Sequence, residues 1–118
     1  MTSACRNIGN AGFSVVCAHV ERYKALRNRK NLAALHDTYR AKTQVNAQTF
    51  LLKKDFFTRR FIAWAMAERL IDIAASDAHN TSSRACRMMD CYQFIAQAYG
   101  EACAHRLCVT APREALGI

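Results

Sequence analysis

Pro112 is the only proline in the chain, and glycine occurs four times in 118 residues. No Pro/Gly-rich segment is available as a linker, and no internal repeat or low-complexity tract divides the sequence. The chain therefore reads as one unit, residues 1–118, long enough for one real core and too short for two. Long apolar runs are missing as well. None approaches the roughly 20 residues that span a bilayer, and the opening MTSACRNIGNAG lacks the apolar centre of a signal peptide. The expectation is a cytoplasmic protein with no membrane segment. Disorder is excluded by composition, since 52% of the residues are hydrophobic.

Acidic residues are scarce: nine Asp and Glu face 17 Lys and Arg, a formal net charge of +8. The excess is local, in Arg22, Lys24, Arg27, Arg29 and Lys30, and again in Lys53, Lys54, Arg59 and Arg60. Such patches attract anions: nucleic acid, phosphorylated protein or phosphosugar. No interleaved aromatic platform and no nucleic-acid-binding module accompanies them, so no nucleic-acid partner is expected and the bland reading is a solvated helix face. The six cysteines, without a secretory signal, read as reduced thiols. Cys86/Cys91 and Cys103/Cys108 are each five apart, a turn of about 140° on a helix, so neither pair shares a metal. Cys103, His105 and Cys108 read as a small packing set with a polar edge.

The patterning alternates. Phe13–Ala18 is short, apolar and partly β-branched, as a strand buried on both faces would be, and His19 follows it. Leu32, Leu35, His36 and Tyr39 predict a helix from about Lys30 to Tyr39, and Thr43–Asn46 a second strand. Phe57, Phe61, Trp64 and Ala65 predict a helix over 55–70 with Asp55 as its N-cap. Ile71–Ala75 is a third strand. Met88, Cys91, Tyr92, Ile95 and Tyr99 form a further helical stripe, stopped by Gly100, and Glu101–Leu107 and a turn opened by Ala111-Pro112 complete the chain. This is the βα order of an α/β protein with a parallel sheet or barrel, in which chemistry gathers at the carboxyl ends of strands.

His19 falls at one such end. Asp77 and His79, in AASDAHN, fall at another, and residues i and i+2 of an extended segment point the same way, so both can face one ion. A histidine near a strand end also serves as a hydrogen-bonded structural group, and an aspartate ahead of a helix as a cap. Spacing alone leaves both readings open.

Two segments, AHVERY (residues 18–23) and ASDAHN (residues 75–80), followed by Arg84, resemble the PHP-superfamily protein-tyrosine phosphatases of the CpsB/CapC type from capsule and exopolysaccharide operons. Gln44-Val45-Asn46-Ala47 is similar to a strand of that family, and Tyr99-Gly100-Glu101 with Ala111-Pro112 to its closing helices. The resemblance runs from about residue 12 onward. It implies the C-terminal half of a distorted PHP-type (β/α) barrel with a divalent-metal site, usually manganese. The activity it implies is metal-dependent hydrolysis of phosphotyrosine on a bacterial tyrosine kinase that controls polysaccharide synthesis. His19, Asp77 and His79 would be metal ligands, with Arg22 and Arg84 at the phosphate. Imidazole and carboxylate suit such an ion, and guanidinium groups grip phosphate oxygens in pairs. Glu21 is expected to support the site from behind.

The family's His-x-His strand and its further glutamates are not in this sequence, and Val20 replaces the proline of the family's AHPERY. A half-barrel with an exposed edge is therefore expected to self-associate, to pair with an N-terminal partner chain, or to be poorly soluble. Two alternatives stand beside the phosphatase: a non-catalytic module that binds a phosphoprotein or its kinase, and a basic nucleic-acid-binding module.

Overall fold

The computed structural model describes residues 2–12, 14–52, 55–77 and 87–118. Three short strands, β1 (Val16–Cys17), β2 (Lys42–Asn46) and β3 (Ile73–Ala75), form a parallel sheet in the order β1-β2-β3. Val16 lies opposite Lys42 and Cys17 opposite Thr43, while Gln44, Val45 and Asn46 face Ile73, Ala74 and Ala75. A parallel pair needs a crossover, and helices supply both. The α/β alternation expected from the sequence is thus present, with shorter strands. Strand β1 differs from the expectation of burial on both faces: it is an edge strand, and Val16 is 45% exposed.

Helix α2 (Arg29–Ala33) is capped by Asn28, whose side chain accepts from the Asn31 N–H. It continues without a break into a wide π turn over Ala34–Thr38, so the expected helix is there with one loosened turn. Helix α4 (Phe56–Ala67) starts as its sequence predicts: Asp55 accepts from the Thr58 N–H at 2.7 Å and from the Thr58 hydroxyl at 3.0 Å. Helix α5 (Met88–Tyr99) packs on α6 (Glu101–His105), which runs through a second π turn at Arg106–Thr110 into α7 (Ala111–Leu116). The extra residue in that wide turn places Pro112 at the start of α7, where no intrahelical N–H is needed.

Two helices had no counterpart in the sequence reading. Helix α1 (Thr2–Asn10) buries Cys5, and α3 (Ala47–Leu52) follows β2 directly and buries Phe50 against α5. The core joins these helices to the sheet through Val20, Leu32, Leu35, Val45, Phe50, Phe61, Ile62, Ile71, Ile95 and Leu107. Among the cysteines, the Cys91 thiol on α5 hydrogen-bonds Cys108, which pushes Cys91 up and Cys108 down. Cys103, His105 and Cys108 pack as expected, with His105 exposed and its Nδ1 3.1 Å from the Thr110 hydroxyl.

Gly100 joins α5 to α6 at φ 100°, ψ 155°, and a Cβ there would meet nothing within 4 Å. Gly100→Ala is therefore a test of backbone strain alone. A loss of about 1–3 kcal/mol in chemical denaturation is expected, and an unchanged midpoint would show that the junction relaxes.

At the amino ends of the strands a polar lock ties helix to sheet. His36 sits between two carboxylates, with Nδ1 2.7 Å from Asp37 Oδ1 and Nε2 3.0 Å from Asp72 Oδ1. The other Asp72 oxygen accepts from the Thr43 N–H at 2.9 Å and the Thr43 hydroxyl at 3.2 Å. No helix among the described residues is long and apolar enough to cross a membrane.

Candidate functional site

The opposite, carboxyl ends of the strands hold the residues that the sequence singled out. His19 follows β1 and Asp77 follows β3. Both take left-handed backbone conformations, at φ 38° and 49°, a region in which His and Asp are enriched among non-glycine residues. Arg40 and Arg69 share that conformation, but there it turns the chain out of a helix and toward a strand. At His19 it turns the chain off the sheet into the 3₁₀ turn Val20–Arg22, and Asp77 takes the same conformation just past β3. Asp77 is therefore not extended, and the alternation argument for a shared Asp77/His79 direction does not reach it. His79 and Arg84 lie outside the described residues.

Between these two ends lies β2, and its side chains connect them. Gln44 and Asn46 are two apart and so share a face. The Gln44 side-chain oxygen accepts the His19 N–H at 2.7 Å, and its amide donates to Asn46 Oδ1 at 3.1 Å. Asn46 Nδ2 in turn donates to Asp77 Oδ2 at 3.3 Å. An unbroken chain of hydrogen bonds thus runs across all three strand ends, holding the His19 backbone and the Asp77 carboxylate on one frame. Arg22 closes it from above, with a guanidinium nitrogen 3.9 Å from Asp77 Oδ2. Arg22 is half exposed, so that pair contributes little to stability. It orients a cation beside the aspartate instead.

Glu21 supports the frame from behind. Only 4% exposed, it uses Oε2 to accept from the Asn46 N–H at 3.1 Å and from the Thr49 hydroxyl at 2.5 Å. Its backbone carbonyl accepts from Arg27 Nε at 2.9 Å. Two buried polar atoms have no hydrogen-bond partner among the described residues: Glu21 Oε1 and His19 Nδ1. The His19 ring is stacked on Tyr23, with centroids 5.8 Å apart. Buried nitrogens are rarely left unpaired, and a nitrogen with a free lone pair at a strand end has the chemistry of a metal ligand. Among the described residues no three His, Cys, Asp or Glu side chains converge as a complete ligand set.

Beside this frame opens a cavity of about 290 Å³ whose walls include Glu21, Arg22, Arg27, Asn46 and Thr49. Its two guanidinium groups are donors suited to an oxyanion, beside the Glu21 and Asp55 carboxylates in the same lining, while the Thr49 hydroxyl is committed to Glu21. The first basic run is therefore divided in its work, and it is not a solvated helix face at this end. Arg22 and Arg27, carried on two 3₁₀ turns (Val20–Arg22 and Lys24–Arg27), reach the cavity. Arg29 pairs with Glu68 at 2.6 Å and lies over the Trp64 ring at 5.3 Å. Sequence reasoning missed Gln44, Asn46, Thr49 and Arg27 as site residues. A signal for the first two was present, because a buried parallel strand is expected to be apolar and Thr43-Gln44-Val45-Asn46 is largely polar.

A strand-end carboxylate and imidazole thus lie beside a cavity with two arginines in its walls, on an α/β fold. Comparison with known proteins makes the class specific: the family model "Capsular polysaccharide synthesis, CpsB/CapC" matches residues 1–117. The chain belongs to the CpsB/CapC family. It is 33% identical over 113 residues to the tyrosine-protein phosphatase CpsB of Streptococcus pneumoniae, covering 92% of this chain and 46% of that protein. It is 31% identical over 111 residues to the tyrosine-protein phosphatase CpsB of Streptococcus agalactiae serotype V, covering 89% and 45%. The chain thus spans about half the length of the curated relatives it matches. A solved structure from the pair YwqE of Bacillus subtilis and CpsB of Streptococcus pneumoniae, metal-dependent tyrosine phosphatases, superposes with a TM-score of 0.79 at 20% identity. That match covers 98% of this chain and 47% of the other, and at that identity it is a likeness of fold.

Proposed function

We propose that residues 1–118 form one part of a PHP-type (β/α) barrel phosphatase, its C-terminal half, acting on phosphotyrosine. The substrate in this reading is a phosphotyrosine protein, a bacterial tyrosine kinase of capsule or exopolysaccharide synthesis, in the cytoplasm. The observation that carries the proposal is the hydrogen-bonded frame from His19 through Gln44 and Asn46 to Asp77, placed beside a cavity lined by Arg22 and Arg27.

The residues present fit a divalent metal, manganese in the first instance. His19 Nδ1 is buried without a partner among the described residues, and the Asp77 carboxylate is held on the same frame. His19 and Asp77 would hold the ion together with His79, and a bound divalent ion supplies Lewis acidity and activates water near neutral pH. Asn46 restrains Asp77, and the Gln44 side chain, by binding the His19 N–H, fixes the turn that presents the imidazole. Arg22 and Arg27 bind and orient the phosphate oxygens, with Arg84 as a further donor. The reaction needs no cysteine nucleophile. Three ligands do not complete a multinuclear site, so the reading includes a second copy of the chain or an N-terminal partner chain that supplies the rest.

The test is release of phosphate from a phosphotyrosyl peptide by the purified chain, with and without Mn²⁺, beside Asp77→Ala. Mn²⁺-dependent turnover that falls about 100-fold in the variant is expected. Turnover indifferent to both would remove the reading. A folded chain that binds the phosphopeptide without releasing phosphate would favour the non-catalytic binding module.

A further inference from the structure

A second cavity, of about 240 Å³, adjoins the first and shares Arg27 with it. Its walls are Arg27, Phe57, Arg60, Phe61 and Trp64. Phe61 is buried and forms a fixed floor, with Trp64 edge-on to it at 5.2 Å between centroids. Phe57 stands at the rim and is 72% exposed, with the exposed Phe56 ring edge-on to it at 5.7 Å. Leu52, also exposed, lines the first cavity. An exposed phenylalanine pair at the mouth of a cavity is the kind of apolar surface that marks a binding site.

The charge of this corner says what it binds. Arg22, Arg27 and Arg60 line the two cavities. Two carboxylates line the first cavity with them: Glu21, whose Oε2 is held by the Asn46 N–H and the Thr49 hydroxyl, and Asp55, which caps α4 through Thr58 and feels the charge of Arg27. Arg27 has its Nε fixed on the Glu21 carbonyl, which sets the guanidinium plane, and its charge also acts on Asp55. A rigid guanidinium between an oxyanion cavity and an aromatic one can serve two anions at once.

We propose that the Phe57/Arg60 cavity is a second recognition site, which takes an apolar residue with an adjacent carboxylate flanking the phosphorylated residue of a peptide substrate. Arg27 is its junction with the phosphate cavity. The inference rests on the phosphotyrosine reading for what fills the first cavity, and on the aromatic and arginine walls for what fills the second.

The test is fluorescence anisotropy of the 118-residue chain with four labelled peptides. Two carry a non-hydrolysable phosphotyrosine mimic and two carry tyrosine; within each pair the flank is either Asp-Leu or Ser-Gly. The Asp-Leu flank is expected to tighten binding of the mimic about tenfold, or about 1.4 kcal/mol. Phe57→Ser and Arg60→Gln, both at exposed positions, are expected to erase that difference and leave the gain from the phosphate mimic intact. A flank preference absent from the wild type, or unchanged in Phe57→Ser, overturns the proposal. So does Phe57-dependent binding to phosphatidylglycerol vesicles with no peptide preference, which would assign the surface to a membrane. A flank preference without any gain from the phosphate mimic would sink the phosphotyrosine reading and keep the second site.

Discussion

Phe50→Ala is expected to lower the unfolding free energy by about 3–5 kcal/mol, the usual cost of a large-to-small change at a fully buried aromatic. Phe50 has no exposed surface and sits where α3 meets α5, within the main core. Helix α3 is six residues long, too short to hold itself together without tertiary packing. Phe50 is thus the anchor of the helix that carries Thr49, and Thr49 holds the Glu21 carboxylate. Because a domain of this size is stabilised by about 5–15 kcal/mol in all, the variant should lie near its threshold at 37 °C. Urea denaturation gives the number. A loss under about 1 kcal/mol would mean that the α3–α5 contact collapses around the gap.

Asp72→Asn is expected to remove about 2 kcal/mol near pH 6, the larger part of the His36 contribution, and to weaken the pH dependence of stability. The His36 pKa is raised from 6.5 to about 9, first by its hydrogen bond to Asp72, with burial opposing and Asp37 assisting. The His36 and Asp72 side chains are 22% and 13% exposed, so solvent screens this pair only in part, whereas Asp37 is two-thirds exposed and contributes less. A shift of that size is worth about 3 kcal/mol. The sign follows from a raised pKa. The imidazolium stabilises the fold fully below pH 6.5, and that stability is lost as pH rises toward 9. Burial pushes the Asp72 carboxyl up, but the His36 and Thr43 hydrogen bonds outweigh it and bring it below 3.8. Its contribution is present above that value and lost in stronger acid. The wild type should therefore be most stable between about pH 4 and 6.5 and weaken through pH 9, and Asp72→Asn should weaken much less, through the part that Asp37 retains. A wild-type denaturation midpoint that stays level from pH 6 to 9 would contradict this account of the lock.

How far the sequence shows this structure depends on which signal each element carries. Helix α4 and helix α5 have apolar positions at spacings of three and four and clear stops or caps in Asp55 and Gly100, and both are found where the pattern puts them. Helix α1 has only a short stripe, Ala4, Cys5 and Ile8, of which Ile8 is exposed, and α3 is a six-residue run whose buried contacts are Ala47 and Phe50. Strand β1 looked buried because Phe13–Ala18 is apolar, yet only Val16–Cys17 pair. Burial there depends on which neighbours the sheet has, a property of the assembly that no local pattern carries.

In the candidate site, His19 and Asp77 were legible as residue types at strand ends, whereas Arg22 read as part of a basic run and was singled out only through the family resemblance. The left-handed backbones of His19 and Asp77 were not legible, because nothing in AHVERY or ASDAHN calls for a positive φ. The joining role of Gln44 and Asn46 was equally hidden, since a hydrogen bond across strands 25 and 31 residues apart leaves no mark in either segment.

Asn46 has a consequence for how the chain folds. Its backbone N–H goes to Glu21, its side-chain oxygen to Gln44 and its side-chain amide to Asp77. Those partners come from the segments after β1 and β3 and from β2 itself, so no partly assembled sheet satisfies this residue. Long-range parallel pairings close late, after local helices such as α5 and α6. The Asn46 backbone N–H should exchange with deuterium only when the whole sheet opens, which makes the residue whose side chain frames the site the last to be protected and a marker of completed folding.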